Sequence, residues 1–449
     1  MDGVDFLALR NRARQRVAGR WHRRRDRAGA GQHGPDAHGL KIALLNVKFS
    51  PNLGDGLLAE CLERELALAL PGATVVSIDL AGRKHYRGHG PSRRGRVIAL
   101  LEALPRWARR RAVRVALALL VRFRLRSHVR ESLHGIDLVV VGGGNLLSDT
   151  DLNFPMKLVG ALDEVARARL PVAVHAVGVN PHWSRTGHTL FVRALCAAPL
   201  ICATVRDRRS QTAWHNLLEP HGLPAAGLAG DPGLLASCHF ARPPLDNRAV
   251  GTGARIGLCI TSPLAVRYHS GKSPPPVDLA VWYATAAMAL AAMGMRVVLF
   301  TNGSPEDRAF LARHGATWTA APPPDSGQIT IAPAFATPAE LVSFIAGCDA
   351  IIAHRMHACV VAHAFAIPAI GLKWDAKLDS FFALAGRDGF IADCADLDPA
   401  TLGTLTQRAL RSGVDRDRLD QLVAATRADV VRLATAIGAF RRPQKRRSA

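Results

Sequence analysis

The sequence predicts an α/β protein built from two Rossmann-like domains facing a cleft, and three observations carry that reading. Short apolar runs alternate with helical stretches, the chain is 449 residues long, and 49% of it is hydrophobic. The alternation argues for parallel sheets. The length sets a prior of two or three domains, and the apolar content is ample for full cores. In order, residues 1–39 read as a basic N-terminal tail and residues 40–240 as the first domain, with strands at 42–47, 138–141 and 200–205 and a helix at 56–70. Residues 241–254, rich in Pro, Gly and charge, read as the linker. Residues 255–395 make the second domain, with strands at 256–260, 296–300, 350–353 and 369–372. Residues 396–449 supply C-terminal helices and a basic tail, and the helical stretch 399–440 is expected to pack back across the domains. Three consecutive prolines make 320–326 a loop.

Residues 349–381 concentrate the chemistry. An apolar strand at 350–353 leads to a helix at 357–365, which Ile367 and Pro368 terminate, and a second strand follows. Arg355 and His357 therefore fall where a strand ends and a helix begins, and free N–H groups and the helix dipole favour an anion there. Arg can grip a carboxylate or phosphate in a bidentate fork while a nearby His donates or accepts a proton. Lys377, at the start of the next helix, adds a second cation. A bound dianion would raise the His357 pKa against the pull of the helix N-terminus and make it a general acid near neutral pH. Taken singly, Arg355 could cap a carbonyl, His357 could be an ordinary helix-start residue and Lys377 could be solvated. All three on successive loops of one βαβ unit favour a site.

Three more stretches follow apolar strands and open into a helix or a glycine turn. They are Asn52-Leu53-Gly54-Asp55, Gly142-Gly143-Gly144-Asn145, and Val205-Arg206-Asp207-Arg208-Arg209-Ser210, with Asp231-Pro232 downstream. Ligands of open α/β sheets gather at such strand ends. The glycines let backbone approach a ligand closely or turn with positive φ, and the triple glycine lacks the spacing of a dinucleotide fingerprint. Asp55 could position a hydroxyl or cap the helix that follows. Arg206 could bind an anion or pair with Asp207.

The segment Arg355-Met356-His357, Pro368 and Asp375-Ala376-Lys377 resembles the C-terminal motif of the polysaccharide pyruvyl transferase family. Its members carry an R-x-H, an apolar helix, a Pro, a short strand and a D-x-K. The three upstream motifs are similar to the same family in the same order, and together they cover roughly residues 40–390. The resemblance implies a glycosyltransferase-B-like arrangement. It also implies transfer of pyruvate from phosphoenolpyruvate onto a sugar of a polysaccharide or lipid-linked glycan precursor as a ketal, with release of phosphate. On that reading His357 is the proton donor, and Arg206, Arg355 and Lys377 hold carboxylate and phosphate. Asp55 and Asn52 in the facing domain orient acceptor hydroxyls, and Gly143, Gly144 and Asn145 border the substrate. The scheme calls for no cofactor, metal or nucleotide.

Two other functions compete. A nucleotide-sugar glycosyltransferase would use the same cleft, since fold does not decide function. Many retaining enzymes of that architecture hold the donor with a carboxylate after the helix start, and residues 355–374 contain no Asp or Glu. Inverting enzymes with a His at the helix start keep this alternative open. The third reading is a non-catalytic membrane-surface scaffold, in which Arg355 and His357 would be dispensable.

The net charge of +22 is concentrated in three places. Residues 1–30 hold nine Arg and three Asp, residues 83–130 hold fifteen Lys or Arg and one Glu, and residues 440–449 hold five basic residues and no acid. The remainder is close to neutral. In the insert 83–130, Val97, Leu100, Leu101 and Leu104, then Val113, Leu117 and Leu120, recur at helical spacing, and Pro105 should divide two helices. A basic amphipathic helix points to a membrane surface or a nucleic acid. Few aromatics are present to stack bases, which favours peripheral contact with anionic lipid and no specific nucleic acid. Such attachment would suit a lipid-linked acceptor; a helix packed on its own domain with a solvated charged face is the plainer alternative. The apolar run 115–121 is far too short to span a bilayer. Eight cysteines without C-x-x-C pairs suit a reduced compartment, and no cluster has metal-ligand spacing. His363 is expected to be packed. The first thirty residues lack an apolar h-region, so the expectation is a cytoplasmic protein, peripheral at the inner face of the membrane if the insert binds lipid. Composition alone leaves a transit-type segment open.

Overall fold

The computed structural model describes residues 39–86, 105–243, 253–270, 277–320, 327–374 and 376–445 of the protein. The N-terminal tail, Val97, Leu100, Leu101, Leu104, the middle of the linker, the triple proline, Asp375 and the last four residues lie outside the described residues. Residues 40–449 make one compact unit.

The first sheet contains β1 (Lys41–Asn46), β2 (Thr74–Asp79), β3 (Leu138–Gly142), β4 (Val172–Val177), β5 (Leu200–Val205) and β6 (Gly227–Leu228) in the order β2-β1-β3-β4-β5-β6. Every pairing is parallel. Its helices are α1 (Leu53–Ala69), α2 (Arg106–Leu120), α3 (Arg126–Ser132), α4 (Asn153–Arg167), α5 (Arg185–Leu195) and α6 (Arg208–Leu217). The central strands are buried throughout, as β-branched runs covered on both faces should be. Alternate residues point to opposite layers. Ala43, Leu45, Val139 and Val141 pack with Leu158, Leu162 and Phe191, while Ile42, Leu44, Leu138 and Val140 pack with Leu62, Leu66 and the C-terminal helix.

The second sheet contains β7 (Arg255–Cys259), β8 (Arg296–Phe300), β9 (Ile329–Ile331), β10 (Ala350–Ala353), β11 (Ala369–Lys373) and β12 (Ile391–Asp393), ordered β12-β11-β10-β7-β8-β9 and again all parallel. Its helices are α7 (Pro263–Ser270), α8 (Leu279–Ala292), α9 (Pro305–Thr319), α10 (Pro338–Ala346), α11 (Met356–Ala364), α12 (Ala376–Leu384) and α13 (Leu402–Ser412). The last helix, α14 (Arg416–Lys445), returns to the first sheet, where Val430, Leu433, Ala434 and Ile437 are buried. Asp429 ties it there by accepting from the Gly230 amide at 2.7 Å.

These are two Rossmann-like domains, as expected. All seven anticipated strands occur within one residue of their expected ends, and β2, β4, β6, β9 and β12 were not foreseen. The first helix starts at Leu53 and not at residue 56, because the Asn52 side chain caps it by accepting from the Gly54 amide. Asp55 is therefore a first-turn acid and not the cap. Strand order reverses around β1 in one sheet and around β7 in the other, so both carboxyl edges offer a ligand crevice. One apolar cluster, in which Leu53, Leu57 and Leu234 meet Phe300, Val360 and Val361, fixes the two domains against each other. The Leu53 amide also donates to the Asn302 carbonyl at 2.8 Å.

Candidate active site

The first domain contributes four strand ends. Beyond β1, Asp55 sits half-buried in the first turn of α1. Burial pushes its carboxyl above the usual range, against the pull of His357, a Ser50 hydrogen bond, Arg83 and Arg355. Beyond β3, Gly143 and Gly144 both have φ of +74°, a turn that residues with a Cβ rarely adopt. Asn145 follows, with its Oδ1 buried and without a hydrogen bond. Beyond β4, a Cβ on Gly178 would lie 2.7 Å from Asn145 Oδ1 and 2.9 Å from Arg206 Nη2, so only glycine lets those two groups converge. Beyond β5, the Arg206 side chain is 5% exposed, with Nε 3.5 Å from Asp207 and Nη1 3.6 Å from Asp231. Both carboxylates are engaged elsewhere: Asp207 caps α6 through the Ser210 amide, and Asp231 Oδ1 accepts from the Gly233 amide. Asp231 Oδ2 makes no hydrogen bond.

The second domain contributes the loops after β10 and β11. Arg355 is buried, and its Nε and Nη2 both donate to Asp307 Oδ2, at 2.9 and 2.5 Å. Its guanidinium lies 5.0 Å over Trp374. Asp307 also accepts from the Ser262 amide at 2.8 Å. The sequence reading gave Arg355 to the substrate's carboxylate or phosphate; in the structure its Nε and Nη2 are taken by a partner on α9, and Nη1 lies outside that pair. His357 follows in the first turn of α11 and presses against α1, since a Cβ on Gly54 would fall 2.8 Å from its own Cβ. Its Nε2 is buried and unpartnered. Burial drives the His357 pKa below its ordinary value, Asp231 and Asp55 pull it up, and Arg206 and Lys377 pull it down. The ring is therefore neutral near pH 7. Lys377, half-buried, stands in the first turn of α12.

The charges acting on His357 thus come from four separated segments and both domains. Among the predicted residues, Asp55, Arg206, Lys377 and His357 share one field, Asn145 joins Arg206, Asn52 serves as a helix cap, and Gly143 and Gly144 shape a turn. The sequence reading missed Gly178 and Asp307, which no local pattern marked, and gave no role to Asp231, although its Asp-Pro pair was visible. His363 is packed, 3% exposed and edge-on to Phe381. His354, invisible from sequence, is bound by the Tyr283 hydroxyl at 2.8 Å and held near a pKa of about 3. Among the described residues, no group of His, Cys, Asp and Glu could hold a metal ion, and no helix is long and apolar enough to cross a membrane. Two cations, a neutral imidazole and two carboxylates around unpartnered polar atoms can hold an anion and move a proton.

A model of the polysaccharide pyruvyl transferase family matches residues 52–376. No curated protein sequence matches the chain. Among solved structures, a putative UDP-N-acetylglucosamine 2-epimerase from Listeria monocytogenes is similar, with TM-score 0.51 and 13% identity, covering 90% of this chain and 96% of that one. The S. aureus MnaA-UDP co-structure gives TM-score 0.50 and 9% identity over 89% and 96%. At these identities the likeness speaks for the fold, a glycosyltransferase-B-like pair of Rossmann domains.

Proposed function

The chain belongs to the polysaccharide pyruvyl transferase family, and from that premise we propose that it transfers pyruvate from phosphoenolpyruvate to two hydroxyls of a sugar as a ketal. The observation that carries the proposal is the unpartnered Nε2 of His357, on a ring that feels the charges of the cations Arg206 and Lys377 and of the carboxylates Asp55 and Asp231. Phosphoenolpyruvate needs both cations and an acid, because its carboxylate and phosphate must be held while its methylene carbon is protonated.

The steps follow from that chemistry. Binding the substrate's negative charge next to His357 raises its pKa, so the ring takes up a proton that it lacks in the free protein. His357 gives that proton to the methylene carbon, and the adjacent carbon becomes an electrophile. A sugar hydroxyl adds there and releases its proton to Asp55 or to the neutral His357. The carbon–oxygen bond to phosphate breaks, phosphate leaves with the bonding pair, and a second hydroxyl closes the ketal. Of the two protons lost by the hydroxyls, one balances the new methyl group and the other leaves with phosphate or solvent.

Thermal unfolding with phosphoenolpyruvate, beside UDP- and GDP-sugars, tests the donor. A ligand at a hundredfold excess over Kd stabilises the folded state by about 2.7 kcal/mol. Phosphoenolpyruvate should raise the midpoint, and Arg206→Ala should remove the rise. Arg206 is the informative position because its ion pairs are longer, 3.5 and 3.6 Å, than the 2.5 Å pair that holds Arg355 on Asp307. Stabilisation by a nucleotide sugar and not by phosphoenolpyruvate would replace the proposal with glycosyl transfer.

A further inference from the structure

One helical rod in the first domain has two apolar faces. α2 runs through a π-helical turn, Val121–Leu125, into α3. Leu117, Val121, Leu125 and Val129 point inward and are at most 9% exposed. Val121 is seated so closely on α4 that a Cβ on Gly160 would come within 2.5 Å of it. On another face Val115, Leu119 and Phe123, each four residues from the last, are 54%, 51% and 70% exposed. A stripe of large apolar side chains held open on an already folded helix is unusual unless something covers it.

Charge identifies what covers it. Residues 106–126 contain eight Arg and no acid. At the inward end, Arg126 and Arg130 are bound by Asp163 and Glu164 of α4. Around the exposed stripe, Arg111, Arg114 and Arg122 form no ion pair with any described residue. Beside Phe123, a cavity of about 450 Å³ is walled by Lys84 and Arg124, by Arg83, which pairs with Asp79 at 3.0 Å, and by His128, whose pKa burial lowers, with Glu131 as the one acidic side chain among the lining residues. An apolar stripe flanked by cations that pair with no described residue matches the boundary between anionic headgroups and acyl chains, and the cavity beside it, with Lys84 and Arg124 in its wall, fits a headgroup phosphate. A nucleic acid would want several aromatic stacking platforms, and among the described side chains of this stripe Phe123 is the one aromatic ring.

We infer that the α2–α3 rod seats the protein on an anionic bilayer, with Val115, Leu119 and Phe123 at the acyl boundary and a lipid phosphate in the Arg83–Arg124 cavity. One residue of the cavity wall, Arg83, is electrostatically coupled to the proposed active site. Tyr86, three residues past Arg83, packs its hydroxyl over Gly56, next to Asp55, and Arg83 itself acts on the Asp55 charge. If pyruvyl transfer is the reaction, the acceptor class is then a sugar carried on a lipid phosphate, presented to Asp55 from the membrane side. That last step rests on the proposed function; the docking surface does not.

The test uses the full chain and no donor, so it fails independently of the pyruvyl reading. Cosedimentation is measured with phosphatidylcholine vesicles, with and without phosphatidylglycerol, at low and physiological salt. The expected result is binding only to the anionic vesicles, weakened by salt. Leu119→Ser with Phe123→Ser, and separately Arg111→Glu with Arg114→Glu and Arg122→Glu, should each lower the partition coefficient by about tenfold or more. Because these positions are exposed, both variants should keep the wild-type thermal midpoint. No binding by the wild type at low salt would overturn the inference. So would undiminished binding by both variants, which would move the attraction to the tails, or retention by single-stranded RNA lost in the same variants while vesicles are ignored.

Discussion

At the scale of single residues, the proposed chemistry turns on His357. It is neutral in the free protein because burial outweighs Asp231 and Asp55. A general acid with a lowered pKa is protonated in a smaller fraction as pH rises, so kcat/KM for phosphoenolpyruvate should already be falling with rising pH below the ordinary histidine value of about 6.5. Substrate binding raises that pKa, so the basic limb of kcat should lie at higher pH than that of kcat/KM. His357→Gln should lower kcat by roughly 10²–10⁴-fold while phosphoenolpyruvate still stabilises the fold. Phosphate release measured across pH checks both, and coincident limbs in the two profiles would remove His357 as the acid. His357, Arg206 and Asp55 were legible in the sequence because each stands just past an apolar run, where a strand edge must lie. Asp307 was not, because its pairing with Arg355 spans 48 positions and leaves no periodic trace. Gly178 was equally silent: the crowding that requires a glycine comes from Asn145 and Arg206, on other strands.

At the scale of elements, the proposed catalysis requires two helix N-termini to meet. α1 and α11 begin on different domains, and their first turns meet at Gly54 and His357, so the positive dipole ends of both helices face the same site. Gly54 sets their separation, since its missing Cβ would overlap His357. Gly54→Ala should therefore displace His357 and cost about 1–3 kcal/mol of stability, with kcat falling by more than the stability loss explains. Gly438→Ala is the control. It lies in α14 with nothing within 4 Å of the added Cβ, and it should be neutral or stabilising by up to about 1 kcal/mol. Unfolding midpoints and turnover on both variants separate the two cases; full activity in Gly54→Ala would show that the helices have slack. Strands that fill the sheet centres were readable as continuous apolar runs. The unforeseen ones fail that pattern for local reasons: β4 is interrupted by His175, and β6, β9 and β12 have two or three residues each. The cap at Asn52 was misread because Asn and Asp are equally good caps and only geometry shows which one turns back onto the backbone.

At the scale of the whole molecule, buried histidines should set the acid limit of stability. His175 and His363 are held at pKa values of about 4 and His354 at about 3, in each case chiefly by burial. In the unfolded chain all three titrate near 6.5. Between those limits the unfolded state binds protons that the folded state refuses, so stability is fully present above about pH 6.5 and falls as pH drops towards 4. Each group can remove up to about 1.4 kcal/mol per pH unit across that window. Asp55 and Asp307, held above the usual carboxylate range, act in the opposite sense and blunt the loss at its lower end. His363 is the position to change, because its Nε2 has no hydrogen-bond partner and its ring only packs against Phe381. Urea midpoints taken from pH 7.5 down to 4.5 should decline below 6.5, and His363→Gln should flatten that decline by about one proton even if it lowers stability at every pH. A decline of the same slope in the variant would show that His363 takes up its proton in the folded protein, and that burial at this helix end is looser than the packing implies.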